Sequence, residues 1–328
     1  MRNNEWDEDL SKNTKQRRNN RKRRNLDADQ THLDKESSKF VDSLESTKGT
    51  GWMADKKYNR MFTEIEQGLS GVLGDGPFDW VDRRVFDAVF DRLTLMSLYK
   101  LMKSGMIDTL DFPIARGKEA HVFHGTGENG PVAVKIFHTS NAVFKNLIQY
   151  IEGDPRFGGL KRRHRDLVDI WVRKEFRNLS RLAKWGLSVP KPIGVHKNVL
   201  VMEYLGTETA PSPRLRDVNV IDPEPVYQEL LEFLAIAWQK ANMVHGDFSP
   251  YNIMWHDDGP VVIDVGQSVV QSHPKSQEFL VRDVTRLVEW ANKNGLDVEL
   301  AEAMYDVLEM DLSHVGETEE EKTSLHMG

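Results

Sequence analysis

Polar and charged positions follow one another over residues 1–58 with no sustained helical or alternating repeat, and that segment is expected to be mostly disordered. From Asp79 the pattern changes. Val85, Phe86, Val89, Phe90, Leu93 and Met96 recur at helical spacing between Asp and Arg residues, which predicts a packing helix running to about Lys103 with Gly105 as its C-cap. Three short β-branched or aromatic-rich stretches follow, Phe112–Ala115, Ala120–His124 and Pro131–Phe137, with a hairpin turn expected at Gly125–Gly127 and Asn129–Gly130. After a loop from Thr139 to about Arg165, Asp166 to Lys184 reads as a strong helix ended by Gly186, and Val189–Gly206 holds two more strands, the second at Val199–Tyr204.

The second half is mainly helical. Pro225–Asn242 is amphipathic through Leu230, Leu231, Leu234 and Trp238, and later helices are expected at about Ser276–Asn292 and Val298–Leu308. Between them, Ile253–Trp255 and Val261–Val265 form a small strand pair around Asp257-Asp258-Gly259. The chain therefore divides into a basic arm (1–58), a helical extension (59–108), a strand-rich lobe with one inserted helix (109–205), a mostly helical lobe (206–312) and an acidic tail expected to be disordered (313–328). The fold class is α+β and bilobal, with a five-stranded antiparallel sheet in the first lobe.

Composition narrows the function classes. Hydrophobic residues make up 39% and charged residues 29%, ordinary for a soluble globular protein, and no apolar run is long enough for a membrane span. The N-terminal residues lack the apolar stretch of a secretory signal. With no cysteine, disulfides, thiol catalysis and Cys-based zinc sites are excluded, and a cytoplasmic setting is the simplest expectation. The net charge of -7 hides an asymmetry: residues 1–60 carry 15 Lys/Arg against 11 Asp/Glu, and Ser11 to Arg24 holds eight basic residues and no acidic one. Such a block is a solvated arm or a counterion-releasing contact with RNA or an acidic partner, and with no aromatic residue in it base stacking is excluded there.

The chemistry concentrates in His245-Gly246-Asp247-Phe248-Ser249-Pro250-Tyr251-Asn252 and, after a strand, Ile263-Asp264-Val265-Gly266. Phosphoryl transfer from ATP requires positioning and charge neutralisation more than covalent chemistry. Asp247 has the place of the carboxylate that orients an acceptor hydroxyl and takes its proton. Asn252 and Asp264 supply hard oxygens for Mg²⁺, or Mn²⁺ in its place, and their spacing of 12 positions suits one tight hairpin. A hairpin whose Asp and Asn serve only turns is the competing explanation for any one of these residues, and becomes improbable for all of them in order. Upstream, Lys135 lies in the apolar strand Val132-Ala133-Val134-Lys135-Ile136, where it must face solvent or find an anion such as the α/β-phosphates of ATP, and Glu175 is its candidate partner. Gly117 and Lys118 stand in the turn between the first two strands, in place of a Gly-x-Gly-x-x-Gly phosphate loop. Backbone groups of Glu203 and Leu205, between the lobes, are placed to hydrogen-bond adenine. His245 is expected to pack under the metal site.

These residues resemble the RIO family of atypical protein kinases, in particular its type-1 subgroup. The likeness is carried by GKEAHVFHG, VAVKIF, WVRKEFRNLSRL, VPKPI, VMEYLG, HGDFSPYNIMW and IDVGQSV, over about Leu110 to Trp290. It implies a trimmed kinase fold without an activation segment, in line with the lack of Ala-Pro-Glu after Asp264 and with Gly246 where kinases usually carry Arg. It implies work on the pre-ribosomal small subunit, with rRNA and ribosomal proteins as partners and no membrane or DNA. It further implies substantial ATPase activity, with Asp264 as an acceptor of phosphate. The cluster Arg156, Lys161, Arg162, Arg163 and Arg165 is then a candidate RNA contact or a solvated loop, and Thr139 and Ser140 are candidate self-phosphorylation sites. Two alternatives stay open on sequence: a small-molecule kinase of the aminoglycoside or choline type, for which the 64 residues after Asp264 leave little room, and a scaffold that holds ATP as a structural ligand.

Overall fold

The computed structural model describes residues 67–69, 90–139, 148–151, 153–154, 156 and 164–318, all within the unit Thr63–Gly328. The basic arm, the predicted helix before Phe90, Ser140 and Lys161–Arg163 lie outside the described residues. Among the described residues, the predicted helix is seen as α1 (Arg92–Lys103), with Phe90 and Asp91 outside it. The reason is local: Asp91 is extended and its Oδ1 accepts the Thr94 N–H at 2.8 Å, a helix N-cap.

Five strands make one antiparallel sheet: β1 (Thr109–Arg116), β2 (Ala120–Gly127), β3 (Gly130–Phe137), β4 (Pro192–His196) and β5 (Val199–Glu203), in the order β1-β2-β3-β5-β4. The inserted helix α2 (His164–Ala183) lies between β3 and β4 in sequence and packs on β4, β5 and the segment after Asp264. Its apolar stripe, Val168, Trp171, Val172, Phe176, Leu179 and Leu182, is buried at helical spacing. Asn198, in the β4–β5 turn, ties the sheet to α1 by donating to Thr94 Oγ1 at 2.8 Å and to the Phe137 carbonyl at 3.0 Å.

The second lobe contains α3 (Pro223–Gln239), α4 (Ser276–Lys293) and α5 (Leu300–Glu309), with β7 (Ile253–His256) paired to β8 (Gly259–Val262). A two-residue pair that hydrophobic patterning could not reveal, β6 (Met243–Val244) with β9 (Val269–Val270), closes the segment that contains both chemical loops. β8 ends at Val262, three residues earlier than expected, because Asp264 turns left-handed and Val265–Gln267 coils into a 3₁₀ turn. One hydrophobic cluster runs through α2, α3, α4, α5 and the hairpins. Residues 313–318, assigned to the unstructured tail on sequence, are held against the end of α2: Lys184 pairs with Glu317 at 2.8 Å and the Thr318 N–H donates to the Lys184 carbonyl at 2.8 Å.

The backbone of the Asp247 loop is suspended from α4. Asp283 is fully buried, and its two oxygens accept the N–H of Gly246 at 2.7 Å and of Phe248 at 3.0 Å. Asp283→Ala leaves both donors unsatisfied, each worth roughly 1–3 kcal/mol, partly relieved because a buried carboxylate goes too; the variant should lose about 2–4 kcal/mol of unfolding free energy in urea titration. A loss below about 0.5 kcal/mol, the size of an ordinary surface substitution, would contradict this anchoring role.

Candidate active site

β3 carries Lys135 opposite Val122 on β2 and Leu200 on β5, so its side chain leaves the sheet toward α2. There Lys135 Nζ donates to Glu175 Oε1 at 2.6 Å and to Asp264 Oδ1 at 2.8 Å. Burial disfavours the ammonium charge, but Asp264 and Glu175 together outweigh it and hold the Lys135 pKa above the ordinary lysine value. The Lys135 charge in turn lowers the pKa of Asp264, whose side chain remains half exposed toward the cleft. Two carboxylates far apart in sequence, from α2 and the segment after β8, thus converge on the one cation of β3.

The Asp247 loop is built from beneath. Buried His245 accepts the Asp247 N–H on Nδ1 at 3.2 Å and faces the Ile263 carbonyl with Nε2 at 3.2 Å, so it is the packing residue expected, with Phe248 edge-on to its ring. Gly246 has φ 81, and a Cβ there would meet the Gln267 carbonyl oxygen at 3.1 Å, which explains why no Arg stands at this position. The Arg282 guanidinium donates to the Gly246 carbonyl. The Asp247 carboxylate is oriented from three sides: Arg286 Nη1 donates to Oδ1 at 2.6 Å, and Asn252 Nδ2 and Gln267 Nε2 donate to Oδ2 at 3.2 and 3.3 Å.

Asp264 has φ 62 and ψ 54, a left-handed conformation that a non-glycine residue keeps only when its surroundings over-determine it. The surroundings are buried side chains of α2. Lys174 Nζ donates to the carbonyls of Gly266 and Ser268 at 2.6 and 2.5 Å, and Asn178 Nδ2 donates to those of Val265 and Ser268 at 2.8 and 3.1 Å. Gly266 permits this approach: a Cβ on it would lie 3.0 Å from Glu175 Oε2 and 3.1 Å from the Trp171 ring. Burial pushes the Lys174 ammonium down to about 7, with Arg156 adding and Asp154 and Glu175 opposing.

The remaining expected positions fall as follows. Gly117 sits in the β1–β2 turn, but its N–H donates to the Ala120 carbonyl at 2.9 Å, so it closes the turn instead of pointing at a ligand, and Lys118 is exposed. Neighbouring Glu119 is the unforeseen member of this loop. Burial raises its carboxyl to about 7, with Asp264 adding, Lys135 opposing, and Glu175 and Asp247 adding again. At the hinge, the Glu203 N–H donates to the Lys191 carbonyl and the Leu205 carbonyl accepts from the Ser212 N–H; among the described residues the Leu205 N–H has no backbone acceptor. Arg156 binds Asp154 Oδ2 at 2.7 Å and Asn178 Oδ1 at 2.9 Å, so it is a structural cation and not part of a solvated RNA-binding loop. The Thr139 hydroxyl donates to Asp91 Oδ2 at 2.8 Å.

Sequence reasoning missed Lys174, Asn178, Asp283 and Arg286. Asp283 had a legible signal, a polar residue whose helical neighbours Phe279, Leu280 and Leu287 are core residues; Lys174 and Asn178 each have one such neighbour, Trp171 and Leu182. Among the described residues no three His, Asp or Glu side chains converge as a protein-only cation cage. Asp264 and Asn252 do offer hard oxygens, since both hydrogen bonds of the Asn252 side chain use Nδ2 and leave Oδ1 to a cation. Two protein oxygens, completed by phosphate oxygens and water, suit Mg²⁺.

A family model described as the RIO domain matches residues 121–304. The chain is 40% identical to the RIO-type serine/threonine-protein kinase Rio1 of Haloferax volcanii over 72% of this chain and 81% of that protein. It is 35% identical to the protein of the same name from Methanocaldococcus jannaschii, over 66% of this chain and 74% of that one. Against the serine/threonine-protein kinase RIO1 of Homo sapiens it is 34% identical over 70% of this chain, and it spans only 41% of that longer protein. No helix among the described residues is long and apolar enough to cross a membrane. A solved structure, the Rio2 kinase-ADP/Mg²⁺-phosphoaspartate complex from Chaetomium thermophilum, matches with a TM-score of 0.50 at 21% identity over 67% of each chain, a likeness of fold. With its lobes built around a buried Lys-Glu pair and a RIO domain matched over more than half of its length, the chain belongs to the RIO family of kinases.

Proposed function

We propose that the chain is an ATP-dependent serine/threonine kinase and ATPase of the RIO type. The observation that carries the reading is the placement of Lys135 Nζ within 2.8 Å of both Glu175 and Asp264, beside an Asp247 carboxylate oriented by Arg286. Lys135 is held so that its ammonium meets the α/β-phosphates, with Glu175 fixing its direction. Asp247 orients an acceptor hydroxyl or water and takes its proton as the bond to phosphorus forms. Asp264 and Asn252 hold Mg²⁺, which neutralises charge on the phosphate oxygens. The Leu205 N–H serves adenine at the hinge. Lys118 adds positive charge over the phosphates.

Asp264 has a second role in this reading. Its carboxylate is half exposed and, like any ionised carboxylate, carries oxygen lone pairs that can attack, while Lys135 holds its Oδ1 in place. An Asp264 oxygen attacks the γ-phosphorus, ADP leaves with the bridging oxygen, and water later releases inorganic phosphate from the acyl phosphate. By the family resemblance, the place of work is the pre-ribosomal small subunit, with rRNA and ribosomal proteins as partners.

Two measurements follow. Under saturating ATP and Mg²⁺, Asp264→Ala should abolish ATP turnover, and Asp247→Ala should lower it by at least ~10²; an Asp247→Ala rate within about threefold of the parent is incompatible with a proton-accepting role. Mass spectrometry after brief incubation with Mg-ATP should find an alkali- and hydroxylamine-labile phosphate on Asp264. Acid-stable phosphoserine or phosphothreonine alone would remove Asp264 as phosphate acceptor and leave direct transfer to protein hydroxyls.

A further inference from the structure

Four residues on one face of α2, Trp171, Lys174, Glu175 and Asn178, meet the segment after Asp264. Glu175 reaches the ammonium of β3, while Lys174 and Asn178 reach the carbonyls of Val265, Gly266 and Ser268. Lys174 and Asn178 are both fully buried. An ammonium taken out of water for two backbone carbonyls is an expensive anchor, and an apolar side chain would fill the same volume. Asn178 is itself locked from the far side, because Arg156 Nη1 donates to its Oδ1 at 2.9 Å while buried Asp154 holds the Arg156 guanidinium. The segment so clamped begins with the one site residue whose backbone is left-handed, Asp264.

We propose that Lys174 and Asn178 are positioning residues for the reaction: their hydrogen bonds to the 265–268 backbone fix where the Asp264 carboxylate points and make it move with α2. Since Glu175 belongs to the same helix, the Lys135–Glu175 pair and the metal-side carboxylate form one unit. A shift of α2 away from the sheet breaks both at once. The clamp takes over what a longer segment after the metal-side Asp does by its own contacts, and here only 11 residues separate Asp264 from α4. The proposal rests on the reading of Asp264 as a metal ligand.

The test uses the full chain with ADP and MgCl₂ as probes, and the variants Lys174→Met and Asn178→Ser alongside the parent and Lys174→Gln. Hydrogen exchange of the 263–270 backbone without ligand should speed up at least about tenfold in both removing variants. ADP affinity in EDTA should stay within twofold of the parent, while the Mg²⁺ concentration giving half of its effect on ADP binding rises roughly 10–100-fold, the range typical of residues that orient a ligand-bearing group. Lys174→Gln, which keeps two N–H donors without the charge, should recover most of both changes. Unchanged exchange at 263–270, or a fall in metal-free ADP affinity in proportion to the loss of Mg²⁺ response, overturns the proposal. A parent whose ADP binding ignores Mg²⁺ sinks the metal reading instead, and the exchange rates alone then decide the clamp.

Discussion

An ammonium buried as deeply as Lys135 has to be matched by negative charge, and it takes that charge from two different parts of the chain. Glu175 comes from the inserted helix and Asp264 from the segment after β8. The match therefore fixes the sheet, α2 and the metal-side loop relative to one another before any nucleotide arrives. Much else follows from that demand. α2 must lie against the 265–268 turn, Gly266 must lack a side chain so that Glu175 and Trp171 can approach, and Asp264 must accept a left-handed backbone.

The second chemical loop is fixed by a different device. Asp283 spends a buried carboxylate on the N–H groups of Gly246 and Phe248, His245 fills the space beneath, and Arg286 on the same helix reaches the Asp247 carboxylate. Two helices thus each hold one loop: α2 the segment after Asp264, α4 the Asp247 loop. Gln267 links them, since its amide reaches Asp247 Oδ2 from the turn that Lys174 and Asn178 clamp.

The candidate site residues were legible in sequence because phosphate and metal chemistry would dictate their types and spacing. Asp247, Asn252 and Asp264 could be named from a loop and hairpin, Lys135 from an apolar strand and Glu175 from a helix, and the structure joins Lys135 to Glu175 and Asp264, and Asp247 to Asn252. The five strands and the α2 insertion were legible because alternation and helical spacing are strong there, whereas their order in the sheet was not. What stayed hidden depends on packing across long sequence separations. Nothing local marks Met243–Val244 and Val269–Val270 as partners, since two-residue strands have no periodicity. Arg156 reads as a solvent cation until Asp154 and Asn178 close around it. The start of α1 at Arg92 was masked by a helical apolar repeat that continues through the Asp91 cap. Asp283 did leave a trace, as a polar residue in phase with Phe279, Leu280 and Leu287.

The ionic link between the lobes can be measured without any ligand by a double-mutant cycle on unfolding free energy in urea, combining Lys135→Met with Asp264→Asn. If the buried ammonium ties the lobes through Asp264, the two substitutions should couple by at least ~1 kcal/mol, because each removes the same interaction. Effects that add to within about 0.5 kcal/mol, as for distant and independent sites, would contradict it.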